Sequence, residues 1–475
     1  MVKTMFTADG GFMLIQGKID ISTILDTYPI SHRQWLIVFL GFLVLGIDGF
    51  DVTAIGFIAP AIVDDWQISR HMLGPVMMSG LLGLAGGSLI SGPLADRYGR
   101  RKIIIASVIF FGICSLLSAW SWDLYSLTFF RFITGLGLGA AMPNITTLVA
   151  EYAPGKYRSR LSTVIHCGFN TGAALGGLLS QQLLETSSWR SVLIIGGILP
   201  LLLALILLRY LPESMLFLVQ SPQNKNKLMR LLNKFIPGIA NEHCSFFTTE
   251  PEKNHANTAK SLLSSPYTLG TFSLWLTLFG GLFCVYLLSG WLPLMIKDAG
   301  LTLSQAVIIG SVFQVGGMMG NFCIGIEMDR WGQHCAIILT LLGGACCALI
   351  LGLYTPSMPL LCVMVLLLGY TINGISPGCY ALAAHFYPTS IRATGVSWAT
   401  GVGRLGAITS AGVGSAMLAA GWTFNEVFMF LPLPLLIGTL ALYCKKRCQV
   451  IVKNQTPSSM DNNAMTEQEE IDGVK

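Results

Sequence analysis

Asp48 and Asp51 stand three residues apart in the middle of the first long apolar segment, which runs from about Ile37 to Ile62 with no other charge. As a helix, such a segment is long enough to span a bilayer, which takes ~20 residues. An Asp at the centre of a spanning helix costs ~2.5–3.5 kcal/mol on insertion scales, whereas each Leu, Ile or Phe recovers only ~0.3–0.6 kcal/mol. At this spacing both carboxylates share one helical face. Two arrangements offset their cost: a polar cavity in which they handle a proton or substrate, or a permanent ion pair with a neighbouring arginine. Arg131, in the outer half of the fourth apolar span, is the candidate partner, and with it the pair forms a candidate proton-coupling site.

Arg404 lies about ten residues, hence ~15 Å, into the eleventh span. A guanidinium at that depth needs an anion, and its planar fork donates two parallel hydrogen bonds to a carboxylate, the group an organic acid presents. The competing reading pairs it permanently with Asp48 or Asp51. His166 in the fifth span is a candidate proton relay or substrate donor, against the plainer reading of a satisfied interhelical hydrogen bond. Trp398, one or two turns before Arg404, and Tyr286 and Phe283 in the seventh span are candidates for sandwiching an aromatic ring, against a role in packing. Gln314, Asn321 and Asn373 are weaker mid-membrane candidates.

The elements that must position these groups are membrane helices. Hydrophobic residues make up 53% of the chain and charged residues only 11%, less than half the roughly 25% charged of a soluble domain, so the chain is an integral membrane protein. Apolar spans fall at about 37–62, 73–95, 103–121, 124–149, 160–184, 190–211, 268–296, 303–327, 335–354, 358–384, 393–420 and 424–444. All read as helices, because an open sheet leaves its backbone unsatisfied in lipid. The expected architecture is all-α: an N-terminal segment over 1–35, a six-helix bundle over 36–211, a middle loop over 212–267, a second six-helix bundle over 268–445 and a disordered tail over 446–475. Within the loop, Asn224 to Lys234 is patterned as a short amphipathic helix.

The first thirty-five residues lack the layout of a signal peptide, so the first span is expected to be retained. Lys and Arg gather after the even-numbered spans, as in Arg97, Arg100, Arg101 and Lys102, whereas odd-numbered loops such as Asp64-Asp65-Trp66 are poor in them. That asymmetry places both termini in the cytoplasm. The net charge of +5 therefore reports orientation and not a nucleic-acid partner. None of the 12 cysteines falls in an outside loop, so no disulfide is expected. No cysteine cluster suggests a metal and no nucleophile–base pair suggests an enzyme; no cofactor is expected.

The two halves repeat one another. Gly92-Pro93-Leu94-Ala95-Asp96-Arg97-Tyr98-Gly99 recurs as Gly325-Ile326-Glu327-Met328-Asp329-Arg330-Trp331-Gly332, and Tyr152-Ala153-Pro154 with Arg158 recurs as Phe386-Tyr387-Pro388 with Arg392. A duplicated six-helix unit places substrate near the midplane between halves that rock about it. The same repeat puts Asn170 at the point of the fifth span equivalent to Arg404, so the expected site is neutral on one side and cationic on the other. Asp96 with Arg100 and Arg101, Glu151 with Arg158, and Asp329 and Arg392 from the second copy read as a gating cluster on the cytoplasmic side. The second copy departs from the first at Gln333-His334-Cys335, which stands where Arg100-Arg101-Lys102 does, and that weakens it as a gate.

The stretch from Gly92 to Lys102, and Arg131 with Gly135, Gly137 and Gly139, resemble the signatures of the major facilitator superfamily. Within it, the chain resembles the aromatic acid:proton symporters over about residues 30–445. The stretches that carry this are Asp48-Gly49-Phe50-Asp51, Ile55 to Pro60, Gly135 to Asn144, Leu211-Pro212-Glu213-Ser214 and Ile391 to Gly406. The resemblance implies import of a benzoate-, hydroxybenzoate-, vanillate- or muconate-like acid for aromatic catabolism, across a bacterial inner membrane, by a protein working as a monomer. The anion-plus-proton logic rests on Arg404 and the paired carboxylates. The alternative is a facilitator of the same fold carrying a drug, a sugar or a dicarboxylate.

Overall fold

The protein is seen in a computed structural model that describes residues 18–20, 29–219, 224–235, 245–247, 262–263, 267–354, 357–387 and 389–455. Most of the expected N-terminal segment, much of the middle loop and residues 456–475 of the expected tail lie outside the described residues, whereas residues 446–455, expected to be disordered, continue the last helix. Among the described residues twelve long helices form. In the first half these are α1 (His32–Trp66), α2 (Gly74–Tyr98), α3 (Arg100–Ala119), α4 (Leu124–Tyr152), α5 (Arg158–Thr186) and α6 (Trp189–Tyr210). In the second they are α7 (Thr268–Asp298), α8 (Leu303–Trp331), α9 (Gln333–Leu353), α10 (Met358–Phe386), α11 (Thr389–Ala419) and α12 (Pro432–Gln455), the last preceded by the short helix Phe424–Phe430.

The helix starts follow from local chemistry. Ser31 with Gln34 before α1, and Thr302 with Gln305 before α8, are reciprocal capping boxes that satisfy otherwise orphaned amides. Ten helical units are long and apolar enough to cross a membrane by length and composition. α5 and α11 have the length, at 29 and 31 residues, but are more polar, since α5 carries His166 and Asn170 and α11 carries Arg404. Those two helices face the other half. α5 packs on α8, α11 packs on α2, and α1 against α7 completes the junction.

The duplication read in the sequence is visible in the packing. α1 lies on α5, α2 on α4, and α3 on α4 and α6; correspondingly α7 lies on α11, α8 on α10, and α9 on α10 and α12. The α2–α4 seam is made by glycines. A Cβ on Gly135 would run into the Gly80 carbonyl, and one on Gly139 into the Leu84 carbonyl, so the two backbones touch. Small residues permit such approach where lipid supplies no hydrophobic drive.

In the loop, the expected amphipathic helix runs from Lys225 to Phe235 with Leu228 and Leu232 buried. The sequence reading did not anticipate a parallel ribbon of Lys18–Asp20 with Ser245–Phe247. Three residues are too few to display a period-2 pattern.

Because Gly135 seats against the α2 backbone, Gly135→Val is expected to destabilise the bundle by about 1–3 kcal/mol, read as a lowered midpoint of thermal unfolding in detergent. An unchanged midpoint would show that the seam is not close-packed.

Candidate functional site

The two carboxylates of α1 have different surroundings. Asp51 is 2% exposed and accepts from both ends of the Arg131 guanidinium, Nη1 to Oδ2 at 3.0 Å and Nη2 to Oδ1 at 3.3 Å, with the Ser115 hydroxyl donating to Oδ1 at 2.9 Å. Asp48 is 1% exposed, and among the described residues neither of its oxygens has a hydrogen-bond partner. The charges it senses are Asp51 and Arg404. A carboxylate buried without a partner costs several kcal/mol, so a charge on Asp48 needs a proton or a nearer cation to offset it.

Arg404 makes no ion pair among the described residues. From α11 it donates across the junction to the Ser88 hydroxyl of α2, which in turn donates to the Ala85 carbonyl at 2.8 Å. Tyr286 of α7 stands within electrostatic reach of Asp48, Arg404 and Tyr380, and Tyr380 of α10 within reach of Arg404. Asp48, Arg404, Tyr286 and Tyr380 thus form one constellation drawn from four helices. Sequence reasoning missed Tyr380 and Ser88, because a lone tyrosine or serine in a membrane helix has no pattern that separates it from packing.

Asn170 sits across the junction in an amide chain whose polarity can be traced. The Gly369 carbonyl can only accept, so Asn373 gives it Nδ2 at 3.1 Å; Asn373 Oδ1 then accepts from Asn170 Nδ2 at 3.4 Å, and Asn170 Oδ1 from Asn321 Nδ2 at 3.4 Å. The chain ends on Asn321 Oδ1, which is buried and has no donor among the described residues. The repeat that matches Asn170 with Arg404 also matches Asn321 with Ser88. Arg404–Ser88 and Asn170–Asn321 are therefore the same contact made twice, once with a cation and once with amides.

Trp398 and Phe283 do not converge on this point, and the hydrogen bond that His166 makes is a local one. His166 Nδ1 donates to the Ser162 carbonyl of its own helix at 2.8 Å, so the bond is satisfied within α5 and not between helices. Trp398 stacks on Trp275 at 5.9 Å and is 49% exposed. Six residues at roughly 100° each turn it about 120° from Arg404, toward the face that carries exposed Leu405. Phe283 is buried and stacked on Phe279 at 6.5 Å.

A cavity of about 60 Å³ is lined by Asp51, Arg131, Tyr286, Ser289, Trp291 and Ala411 among others. That volume has room for a few waters and not for an aromatic acid.

Among the described residues, the ion pairs that join the halves lie on one face. On the face where α1 begins and α12 ends (the terminal face), Arg100 pairs with Glu151 at 2.7 Å and Arg101 N donates to Glu213 Oε1 at 3.0 Å, all within the first half and its following loop. Asp96, Arg158, Asp329 and Arg392 are exposed. On the opposite face, Arg70 pairs with Asp298 at 2.5 Å and Lys297 with Asp64, both between halves, and Ser415 donates to the His71 carbonyl at 2.6 Å. Of the sequence-predicted cluster, Arg100, Arg101 and Glu151 make contacts within the first half and its loop, while the ion pairs between halves come from Asp64, Arg70, Lys297 and Asp298, which in the sequence look like ordinary loop charges.

Exposed ion pairs contribute about 0.2–1 kcal/mol each. Asp298→Arg, which sets two cations together at Arg70, is therefore expected to open this face modestly. A membrane-impermeant maleimide added from that side should then label Ser289→Cys about two- to fivefold faster than in the Asp298 parent, above the background of native cysteines. Equal rates would mean that these pairs do not hold the halves together.

Comparison with known proteins agrees with this architecture. The family model of the Major Facilitator Superfamily matches residues 41–357. The chain is 44% identical to the 4-hydroxybenzoate transporter PcaK of Pseudomonas aeruginosa, covering 90% of this chain and 96% of that relative. It is 42% identical to the gallate transporter of Pseudomonas putida, over 90% and 95% respectively. Among solved structures, the inward-open xylose transporter XylE from E. coli superposes with a TM-score of 0.66 at 20% identity, covering 86% of this chain and 95% of that one.

Proposed function

The chain belongs to the major facilitator superfamily, and from that premise we propose that it imports aromatic carboxylates together with protons by alternating access. It is a multi-pass membrane transporter and not an enzyme. The observation that carries the reading is the unequal compensation of three buried charges and one half-buried charge: Asp51 and Arg131 neutralise one another, while among the described residues Asp48 and the half-buried Arg404 are left without ionic partners. A carboxylate substrate on Arg404 and a proton on Asp48 complete the balance. With both in place the site carries no net unpaired charge, and closing it around the substrate no longer costs desolvation of a free ion.

Tyr286 and Tyr380 flank the same point and supply aromatic surface with a polar tip. The free acceptor at Asn321 Oδ1 suits a donor on the ring, such as the phenolic hydroxyl of a hydroxybenzoate. The names of the relatives, 4-hydroxybenzoate and gallate transporters, support that class. The transporter works as a monomer in a bacterial inner membrane with both termini cytoplasmic. In that orientation the ion-paired face is periplasmic.

The test is uptake of radiolabelled 4-hydroxybenzoate and benzoate into proteoliposomes with and without an imposed inward pH gradient. Gradient-stimulated accumulation is expected, and Arg404→Ala is expected to cut it at least about tenfold, the loss of one charge-assisted contact. Replacing Asp51 by Asn leaves Arg131 buried and unpaired, and is expected to abolish accumulation. Gradient-independent flux equal in parent and Arg404→Ala would remove both the coupling and the role of Arg404.

A further inference from the structure

The departure at Gln333-His334-Cys335 has a structural counterpart outside the transport site. In the first half, the N-terminus of α3 is capped by a carboxylate. Glu213 Oε1 accepts from Arg101 N at 3.0 Å and from Ser214 N at 3.0 Å, and a Cβ on Gly99 would meet that carboxyl group. In the second half, the equivalent N-terminus of α9 follows Gly332; among the described residues no carboxylate stands there as Glu213 does, and a Cβ on Gly332 would meet nothing within 4 Å. At the offset of the repeat, the position of Glu213 falls among Lys445, Lys446 and Arg447, so the sequence supplies cations where its twin supplies an anion.

Two of the basic groups there carry buried nitrogens, a donor in Lys445 and, in its Nε2–H tautomer, a donor in His334. Lys445 is 1% exposed, and among the described residues its Nζ has no hydrogen-bond partner, only the face of Phe386 at 4.1 Å. His334, in the first turn of α9, has a buried Nε2 that is likewise unpartnered among the described residues, and it senses the charges of Lys445 and Lys446. An aromatic face attracts an ammonium but accepts none of its three N–H bonds in the plane where an oxyanion would. Uncapped amides, a helix dipole and two free donors together make an oxyanion site.

We propose that the N-terminus of α9, with Lys445 and His334, binds the phosphate of an anionic phospholipid headgroup. The site lies where the spans end on the terminal face, beside exposed Trp331 and Tyr443, as residues of an interfacial belt do. Exposed Arg330 and Lys446 add attraction to an anionic leaflet. A lipid phosphate takes the place that the Glu213 carboxylate holds in the first half.

The experiment is thermal unfolding of the full chain in detergent, titrated separately with phosphatidylglycerol, phosphatidylcholine and inorganic phosphate. A saturable rise in midpoint with phosphatidylglycerol alone is expected. Lys445→Met keeps the apolar stem and removes a buried unpaired cation, so it is expected to fold at least as stably without lipid. It should weaken the response to phosphatidylglycerol at least about tenfold, and His334→Gln, the second variant, should weaken it less. Equal phosphatidylglycerol responses in the parent and both variants would overturn the site. Protection by inorganic phosphate with none by phosphatidylglycerol would overturn the lipid as its source.

Discussion

A charge inside a bilayer is stabilised only by what the protein places beside it, and this molecule is organised around an incomplete set of such compensations. Arg131 and Asp51 close on each other with a two-point hydrogen bond reinforced by Ser115. One helical turn away, Asp48 has no partner among the described residues, and Arg404 rests on a neutral serine. A closed ion pair gives the first helix a fixed anchor to α4, while the open groups are the ones that the proposed cycle fills with a mobile anion and a mobile proton. Neither would be useful without the other: an acid docked on Arg404 beside an ionised Asp48 leaves two anions to one cation.

The duplicated fold explains where that demand arises. Contacts that a repeat makes twice diverge at three places. Arg404–Ser88 and Asn170–Asn321 are one contact in two chemistries, cationic in one half and amide in the other. The helix N-terminus after each loop signature is capped by Glu213 in the first half and surrounded by Lys445 and His334 in the second. The charged latch is built on the face away from the termini, where the ends of α1 and α7 meet. Symmetry supplies the scaffold, and its local violations set the two halves apart.

Much of this was legible from residue types alone. Asp48, Asp51, Arg131 and Arg404 announce themselves because a charge in an apolar span has a measurable cost, so its presence needs a reason. The helices are equally legible, since lipid leaves the backbone no alternative, although α5 and α11 are polar enough to fall short on hydropathy alone. Two kinds of information were not legible. Helical phase misled the reading of Trp398, which sits near Arg404 in sequence but a third of a turn away in space. Partner identity was the other: Ser88 looks like packing until the opposite half is in place, Tyr380 until its neighbouring helices are, and the latch residues look like loop charges until the two halves meet.

The most direct test of the account is to follow external pH in a weakly buffered suspension of proteoliposomes while they take up 4-hydroxybenzoate, comparing the parent with Asp48→Asn. The account predicts alkalinisation in fixed ratio to acid taken up by the parent, and its loss in Asp48→Asn while exchange of labelled for unlabelled acid persists. The neutral amide stands in for the protonated carboxyl, so the substrate site stays intact and only the proton's movement is removed. Undiminished alkalinisation in Asp48→Asn would contradict the assignment of Asp48 as the proton carrier and with it the charge-balance argument.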